Sequence, residues 1–346
     1  MPRIVFGNYK NSIPNFTPYH QNIITQKPKK YNLNIDNYIG DVDSFGTLQD
    51  PTEPGELDMS DVWEFPSHSA PGSTVRIGYL QKAFYNNSGL TGNVLLGGKN
   101  FQQNALKDCF AYSNITGLEF TELQSINPNG SYNPLSSTDL KNCPMLETVV
   151  FDELETIGTA IAFQQTFRML PRLTTFEAPR LRVISGQNAF QEGFYGTSSL
   201  TSIDFSGLET LDNATVFGAA FAYTGLTEVE FPALTYAFQQ SFYNAWYYCS
   251  YLTEARFPVL SDMGSNAFMG AFGYCTALTD VYFGGVTAST FNDYSSKRLF
   301  RDMLRGCSGV TVHFPTSVQS TVSDLMSGVD FSTGFTGTNT SIVCDL

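Results

Sequence analysis

Histidine is nearly missing from this sequence. Only His20, His68 and His313 occur in 346 residues, each apart from any Cys, Asp or Glu at ligand spacing, which argues against metal-dependent hydrolysis. There is no G-x-S-x-G elbow, no G-x-x-x-x-G-K-[ST] phosphate loop and no G-x-G-x-x-G after a strand, so no nucleophile or nucleotide cradle is nominated. The stretch DVDSFG (Asp41 to Gly46) matches a calcium loop at its first, third and sixth positions, but Thr52 stands where the bidentate carboxylate belongs. No cofactor and no metal are expected. Six cysteines are too few for a disulfide scaffold and form no C-x-x-C pair. No run approaches the roughly 20 apolar residues of a membrane span, and the start MPRIVFGNYKNSIPNF lacks the apolar core of a signal peptide. Neither membrane insertion nor classical secretion is expected.

Charge is also scarce, at 15% of residues, while aromatics reach 14%. Polarity comes from Ser, Thr, Asn, Gln and Gly, a surface suited to adaptable contacts. The net charge of −13 opposes association with nucleic acid or anionic lipid. That charge is unevenly placed. Residues 1–30 carry Arg3, Lys10, Lys27, Lys29 and Lys30 with no acid, whereas residues 31–66 carry nine acids and no base. This arm suits docking onto another subunit of an assembly, or folding back onto the acidic stretch that follows it.

What is abundant is repetition. GAFGYCTALTDVYF (Gly270 to Phe283) echoes NAWYYCSYLTEARF (Asn244 to Phe257) 26 residues earlier, and overlay gives key positions Leu90, Ile115, Leu146, Leu173, Leu200, Leu226, Leu252, Leu278 and Val310. A period in the twenties marks a solenoid whose units bury their apolar faces only by stacking. Apolar residues follow each key position at about +3, +5, +8 and +11, as in Ile203, Phe205, Leu208 and Leu211. The +3/+5 alternation predicts a short half-buried strand. Before the key position come LKDCF, FQQTF, FQEGF, FQQSF and FMGAF, whose aromatics four apart predict a short helix in each unit. Cys143, Cys249, Cys275 and Cys307 each stand three residues before a key position, which places them in one small apolar slot as an interior ladder of thiols.

The pattern aromatic-x-x-Cys-x-x-Leu-Thr-x-x-x-Phe-Pro-x-Leu resembles the leucine-rich repeats of the BspA-like, or treponemal, type. The resemblance covers roughly residues 77–315, most specifically FGYCTALTDVYF, WYYCSYLTEARFPVL and YTGLTEVEFPAL. It implies a binding or adhesion protein of the kind found on bacterial surfaces; related repeats occur in proteins encoded by gut bacteriophages, and the Gly-Thr-Asn-rich close resembles the tails of similar repeat proteins from gut phages and bacteria. The expected architecture is an α/β leucine-rich-repeat solenoid of short strand plus short helix units over 77–315. An irregular N-terminal arm (1–76) and a C-terminal cap (316–346) flank it.

Residues at +2 and +4 point outward and form columns about 4.8 Å per step. Glu177, Asp204, Glu230, Arg256 and Tyr282 make one, and Glu228, Glu254 and Asp280 the other. This face either binds a cationic or hydroxyl-rich ligand or keeps the open sheet from pairing with another copy. Tyr223, Tyr247, Tyr248, Tyr251 and Tyr274 form a second candidate surface, either stacking on sugars or packing between coils. The function expected is non-enzymatic recognition of a protein or glycan on a cell surface. A virion component is favoured over an adhesin, a decoration protein or a glycan hydrolase built from paired carboxylates.

Overall fold

The computed structural model describes residues 30–31, 55–59, 64–65, 67–69, 76–78, 86, 90–97, 99–101, 106, 109–126, 135, 140, 143–291, 298–326, 335 and 337–346. The cationic residues Arg3, Lys10, Lys27 and Lys29 and the Asp41 to Gly46 stretch lie outside them. Two compact units emerge, Met1–Leu154 with Leu170–Leu173, and Glu155–Met169 with Thr174–Leu346.

The first unit contains β1 (Lys30–Tyr31), β2 (Gly55–Met59), β3 (Glu64–Phe65), β4 (Ser67–Ser69), β5 (Arg76–Gly78), β6 (Leu90–Leu96), β7 (Asn100–Phe101), β8 (Asn114–Phe120), β9 (Ser125–Ile126) and β10 (Thr148–Phe151). Its main ladder is parallel through β2, β6, β8 and β10, pairing Leu57 with Val94, Val94 with Leu118 and Leu118 with Val149. Parallel stacking therefore reaches upstream of residue 77. The strand β1 runs antiparallel to β2 and sets Lys30 opposite Asp58. A register shift between Gly92 and Asn93 leaves Thr116 as an extra residue in β8, so Gly92 rather than Leu90 stands opposite Ile115. Leu90 is buried all the same.

The second unit contains β11 (Thr156–Ile157), β12 (Thr175–Glu177), β13 (Val183–Ile184), β14 (Ser202–Asp204), β15 (Thr210–Leu211), β16 (Glu228–Glu230), β17 (Tyr236–Ala237), β18 (Glu254–Phe257), β19 (Asp262–Met263), β20 (Asp280–Phe283), β21 (Thr311–Phe314), α1 (Gln319–Met326) and β22 (Ser341–Cys344). Each coil contributes a strand to a front face and most add a two-residue strand to a second face, where β11, β13, β15, β17 and β19 pair in parallel without interruption. Leu200, Leu226, Leu252 and Leu278 are all buried, as the repeat requires. Phe205, Phe231, Phe257, Phe283 and Phe314 line up ring over ring behind the front face at 5.4–6.2 Å. At the end β21 pairs with β20 and β22 with β21, adding a parallel step after the last expected strand. Asp280 lies opposite Thr311, which puts Gly309, not Val310, at the key position.

Among the described residues the predicted short helices are absent; the fully described coils have instead a ribbon of consecutive turns. Every fourth residue adopts a left-handed backbone, as at Asn188 (φ 55°), Glu192 (φ 52°) and Gly196 (φ 71°). Alternate N–H groups close local turns, Gly193 to Phe190 O and Tyr195 to Glu192 O. The others reach the next coil, Phe190 to Val216 O, Glu192 to Gly218 O and Phe194 to Ala220 O. The reason is pitch. An α-helix is about 10 Å across, whereas coils joined by strand ladders advance about 4.8 Å, so stacked helices would splay one side of each coil. The turn ribbon hydrogen-bonds between coils like a strand and keeps the same step, with Phe190 over Phe217 at 5.5 Å and Phe194 over Phe221 at 5.4 Å. Its buried columns also correct the block FQQSF: Phe238 is 38% exposed, and the buried pair of that coil is Phe242 with Trp246.

Phe257 packs between Phe231 and Phe283 and against Trp246. Phe257→Ala is expected to cost about 3–5 kcal/mol, measured by denaturant unfolding, because coils fixed at one pitch cannot close the hole. Conversely, Ile161 is β-branched, 56% exposed and left-handed at φ 55°. Ile161→Asn should gain about 1 kcal/mol and raise the thermal midpoint, since Asn tolerates that backbone.

Candidate functional site

The front face of the second unit carries the predicted columns. Registered pairs set Glu228 beside Glu254, Glu254 beside Asp280 and Asp280 beside Thr311, and in parallel Glu230, Arg256, Tyr282 and His313. Glu177 pairs with Asp204 across β12 and β14. The strand-face residues named from sequence therefore do stand in columns, because side chains at +2 and +4 leave the same side of a strand.

The two halves of this face differ in charge balance. Along β18 to β22 the acids are compensated by a stack of three side chains. Arg256 is hydrogen-bonded to Glu254, and its guanidinium lies 4.1 Å from the centroid of the Tyr282 ring. Tyr282 in turn stacks on His313 at 4.3 Å. The His313 ring bridges two carboxylates, with Nε2 2.9 Å from Asp280 Oδ1 and Nδ1 2.9 Å from Asp345 Oδ1. Burial works against protonating His313, but its hydrogen bonds to Asp280 and Asp345 outweigh that and raise its pKa above 6.5. Burial likewise pushes Asp280 up, yet the His313 and Thr279 hydrogen bonds hold it below 3.8. Sequence reasoning missed His313 because the Val310 register turned it inward; aligning TVHF with DVYF and EARF puts it in the outward column.

Around β14 and β16 the acids lack such bonded partners, although Arg256 stands in register beside Glu230. Among the described residues Asp204, Glu228 and Glu230 make no ion pair, in contrast to Arg182 with Glu209 or Arg168 with Glu192 elsewhere in the unit. Here the front ladder itself is interrupted, for β14 and β16 belong to separate sheets. A cleft of about 310 Å³ opens between them, lined by Ser202, Ile203, Asp204, Glu228, Glu230 and Arg256 among others.

The tyrosines make a comb along the start of the strands. Tyr223 stacks on Tyr248 at 5.1 Å and Tyr248 on Tyr274 at 4.7 Å, with interplanar angles of 8° and 4°. Tyr247 meets both Tyr248 and Tyr274 edge-on. The ring faces are thus spent on one another, and edges and hydroxyls are left for solvent; Tyr251, 66% exposed, stands outside the stack. Of the two readings drawn from sequence, packing between coils accounts for the ring faces of Tyr223, Tyr248 and Tyr274.

The cysteine slot is polar in use. The thiols of Cys143, Cys249, Cys275 and Cys307 donate to the carbonyls of Phe110, Phe221, Trp246 and Phe272 in the preceding coil, each at 3.0 Å, and no disulfide joins them. Thr197 donates in the same way to Phe167 O at 2.7 Å. Burial pushes the Cys249 and Cys307 thiols up to about 11, which keeps the donors protonated. Among the described residues no group of three His, Cys, Asp or Glu is placed to hold a metal ion, and no helix is long and apolar enough to cross a membrane.

These stacked, registered coils agree with what comparison finds. Residues 164–295 match the BspA type leucine rich repeat region in six copies. No curated relative matches the chain. The crystal structure of the pneumococcal vaccine antigen PcpA is similar over 82% of this chain and 85% of that one, at 12% identity and a TM-score of 0.26. A likeness at that score carries no argument. The match to the BspA-type repeat thus covers residues 164–295, where the coils stack in parallel with strands and turns in place of the strand-helix units expected.

The bridged histidine gives a pH dependence. A folded-state pKa above 6.5 contributes stability that is fully present below 6.5 and lost as pH rises through the folded value. For Asp280, held below 3.8, the contribution is present above 3.8 and lost as pH falls through its folded value. The melting temperature is expected to fall as pH rises from about 6 to 9, and His313→Gln should flatten that slope in thermal scans.

Proposed function

We propose that this chain is a non-enzymatic recognition protein that uses the outward columns of its front strands to bind a ligand bearing cationic groups on a cell surface. One observation carries this: acids of neighbouring coils stand in register, Glu177 beside Asp204 and Glu228 beside Glu254, and among the described residues neither Asp204 nor Glu228 makes an ion pair. Carboxylates about 4.8 Å apart repel by roughly 0.9 kcal/mol even in bulk water, a standing cost that a cationic ligand would remove. The repeats support a binding role, because coils of one plan share a core and are free to vary outside it.

The finer assignment is to a phage particle, with residues 1–30 as the attachment arm and the repeats facing host or mucosal ligand. It rests on the likeness of the repeats to those of gut-phage proteins, and on the cationic character of Arg3, Lys10, Lys27, Lys29 and Lys30. Mass spectrometry of purified particles tests it directly; a chain recovered only from host envelopes would favour the adhesin.

The surface role has its own test. The triple variant Glu177→Lys, Asp204→Lys, Glu230→Lys should lose at least tenfold in binding to host cells or mucin-coated surfaces while its melting temperature is unchanged. Retained binding accompanied by aggregation would assign the columns to solubility instead.

A further inference from the structure

We infer that the cleft between β14 and β16 is a seat for a lysine or arginine side chain carried on an extended segment of a partner protein. The inference rests on the recognition role proposed above and assigns it to a single step of the stack.

The cleft exists because one face of one coil fails to pair. On either side of it the front ladder is complete, β12 with β14 and β16 with β18. Around the same coil the other two faces are closed: β15 pairs with β17, and Phe217, Ala219, Phe221 and Tyr223 donate to the next coil's carbonyls at 2.7–3.0 Å. The connection leading into β16 is also shorter than those of the coils on either side. Phe194 to Leu200 and Trp246 to Leu252 each span six residues, but Phe221 to Leu226 spans five. Within it a Cβ at Gly225 would come 2.5 Å from the Ser198 carbonyl oxygen. The Phe205 and Phe231 rings behind the gap sit 6.2 Å apart, the widest spacing in their column, and Ile203 is only half-buried although Phe176, Val229, Ala255 and Val281 at the same position are buried.

What the gap exposes defines a ligand. In a parallel ladder alternate residues use both N–H and C=O toward one neighbour. The paired steps set the phase: Ala178 N–H donates to Asp204 O, and Phe231 N–H donates to Arg256 O. By the same phase Ile203 and Phe205 point their N–H groups at β16, Thr201 and Ile203 point their carbonyls there, and Glu228 and Glu230 point both groups back. None of these has a backbone partner across the gap among the described residues. The ligand must therefore supply donors and acceptors together. Four carboxylates, from Asp204, Glu228, Glu230 and Glu254, surround the opening with Arg256 as the one base. A neutral sugar would leave that charge uncompensated. A metal ion is unsuited, because these carboxylates do not converge as a ligand set. At about 310 Å³ the cleft is at the small end for ligand sites, with room for a long side chain and the main chain that carries it. An ammonium or guanidinium head satisfies carbonyls and carboxylates by charge-assisted bonds, and the main-chain carbonyl beside it accepts from the idle N–H groups.

Amide NMR titration of the full chain with blocked Gly-Gly-Lys-Gly-Gly and Gly-Gly-Arg-Gly-Gly peptides tests this. The expected result is perturbation centred on Ile203, Phe205, Glu228 and Glu230, with affinity falling at least tenfold when the lysine is Nε-acetylated and in Asp204→Asn/Glu230→Gln. Inserting one serine between Thr224 and Gly225 restores the six-residue connection while keeping every carboxylate. It should slow hydrogen exchange at those four amides and abolish peptide binding. Absence of binding, equal binding of the acetylated peptide, shifts confined to other coils, or undiminished binding once the ladder has closed would each overturn the inference. If the insertion variant does not fold, the acetylated peptide and the Asp204→Asn/Glu230→Gln pair decide. Loss of cell-surface binding in the triple lysine variant with no peptide response in the parent protein overturns the cleft alone. Peptide binding without any cell-surface binding overturns the broader role instead.

Discussion

Hydrogen bonding between successive coils fixes a step of about 4.8 Å, and every other feature of the repeat region answers to it. A coil has three sides, and all of them must advance by the same amount. The front strands and the two-residue strands do so by ordinary parallel pairing. The third side meets the requirement with a ribbon of turns that gives every second N–H to the neighbouring coil. Left-handed residues every four positions are the cost of that solution, about 1–2 kcal/mol apiece for residues other than glycine. It is offset by long aromatic columns that only a common pitch allows. The thiol slot follows the same logic. A side chain one step away from the preceding coil's carbonyl needs a short donor, and Cys and Thr both supply one.

Much of this architecture was legible. Recurring leucines, alternating +3 and +5 residues and the Cys offset are direct consequences of translational repetition, and Leu200, Leu226, Leu252 and Leu278 have the depth their spacing implied. The turn ribbon was not legible, because aromatics four apart satisfy two geometries: one face of a helix, or two turns of a ribbon with a left-handed residue in each. Local spacing does not distinguish them; the pitch of the whole stack does. Boundary errors have a similar origin. Leu90 and Val310 are buried residues two positions and one position away from the residues that pair at the key site, and only the pairing of Gly92 with Ile115 and of Asp280 with Thr311 reveals the slip.

The candidate surface was half legible for a related reason. Outward columns follow from strand alternation, so Glu228, Glu254, Asp280 and their neighbours could be named from sequence. Their electrostatic state could not, because it depends on which side chains reach across coils. Arg256, Tyr282 and His313 form a compensated half, whereas Asp204 and Glu228 have no basic partner in register. The tyrosines show the converse. Their clustering was evident, but stacking at one-coil pitch consumes the ring faces that clustering seemed to offer.

The uncompensated acids coincide with the place where the ladder fails, and the coincidence has a physical basis. A backbone group left without a partner in the interior costs on the order of 1–3 kcal/mol, so a gap is tolerable only where water or a ligand reaches it. The front face is the only one of the three sides of this coil where the unpaired groups of β14 and β16 meet solvent through an open cleft. Carboxylates around such an opening keep it from closing by apolar collapse and repel one another across it. The acids at Asp204, Glu228 and Glu230 thus keep the opening from closing and select for positive charge.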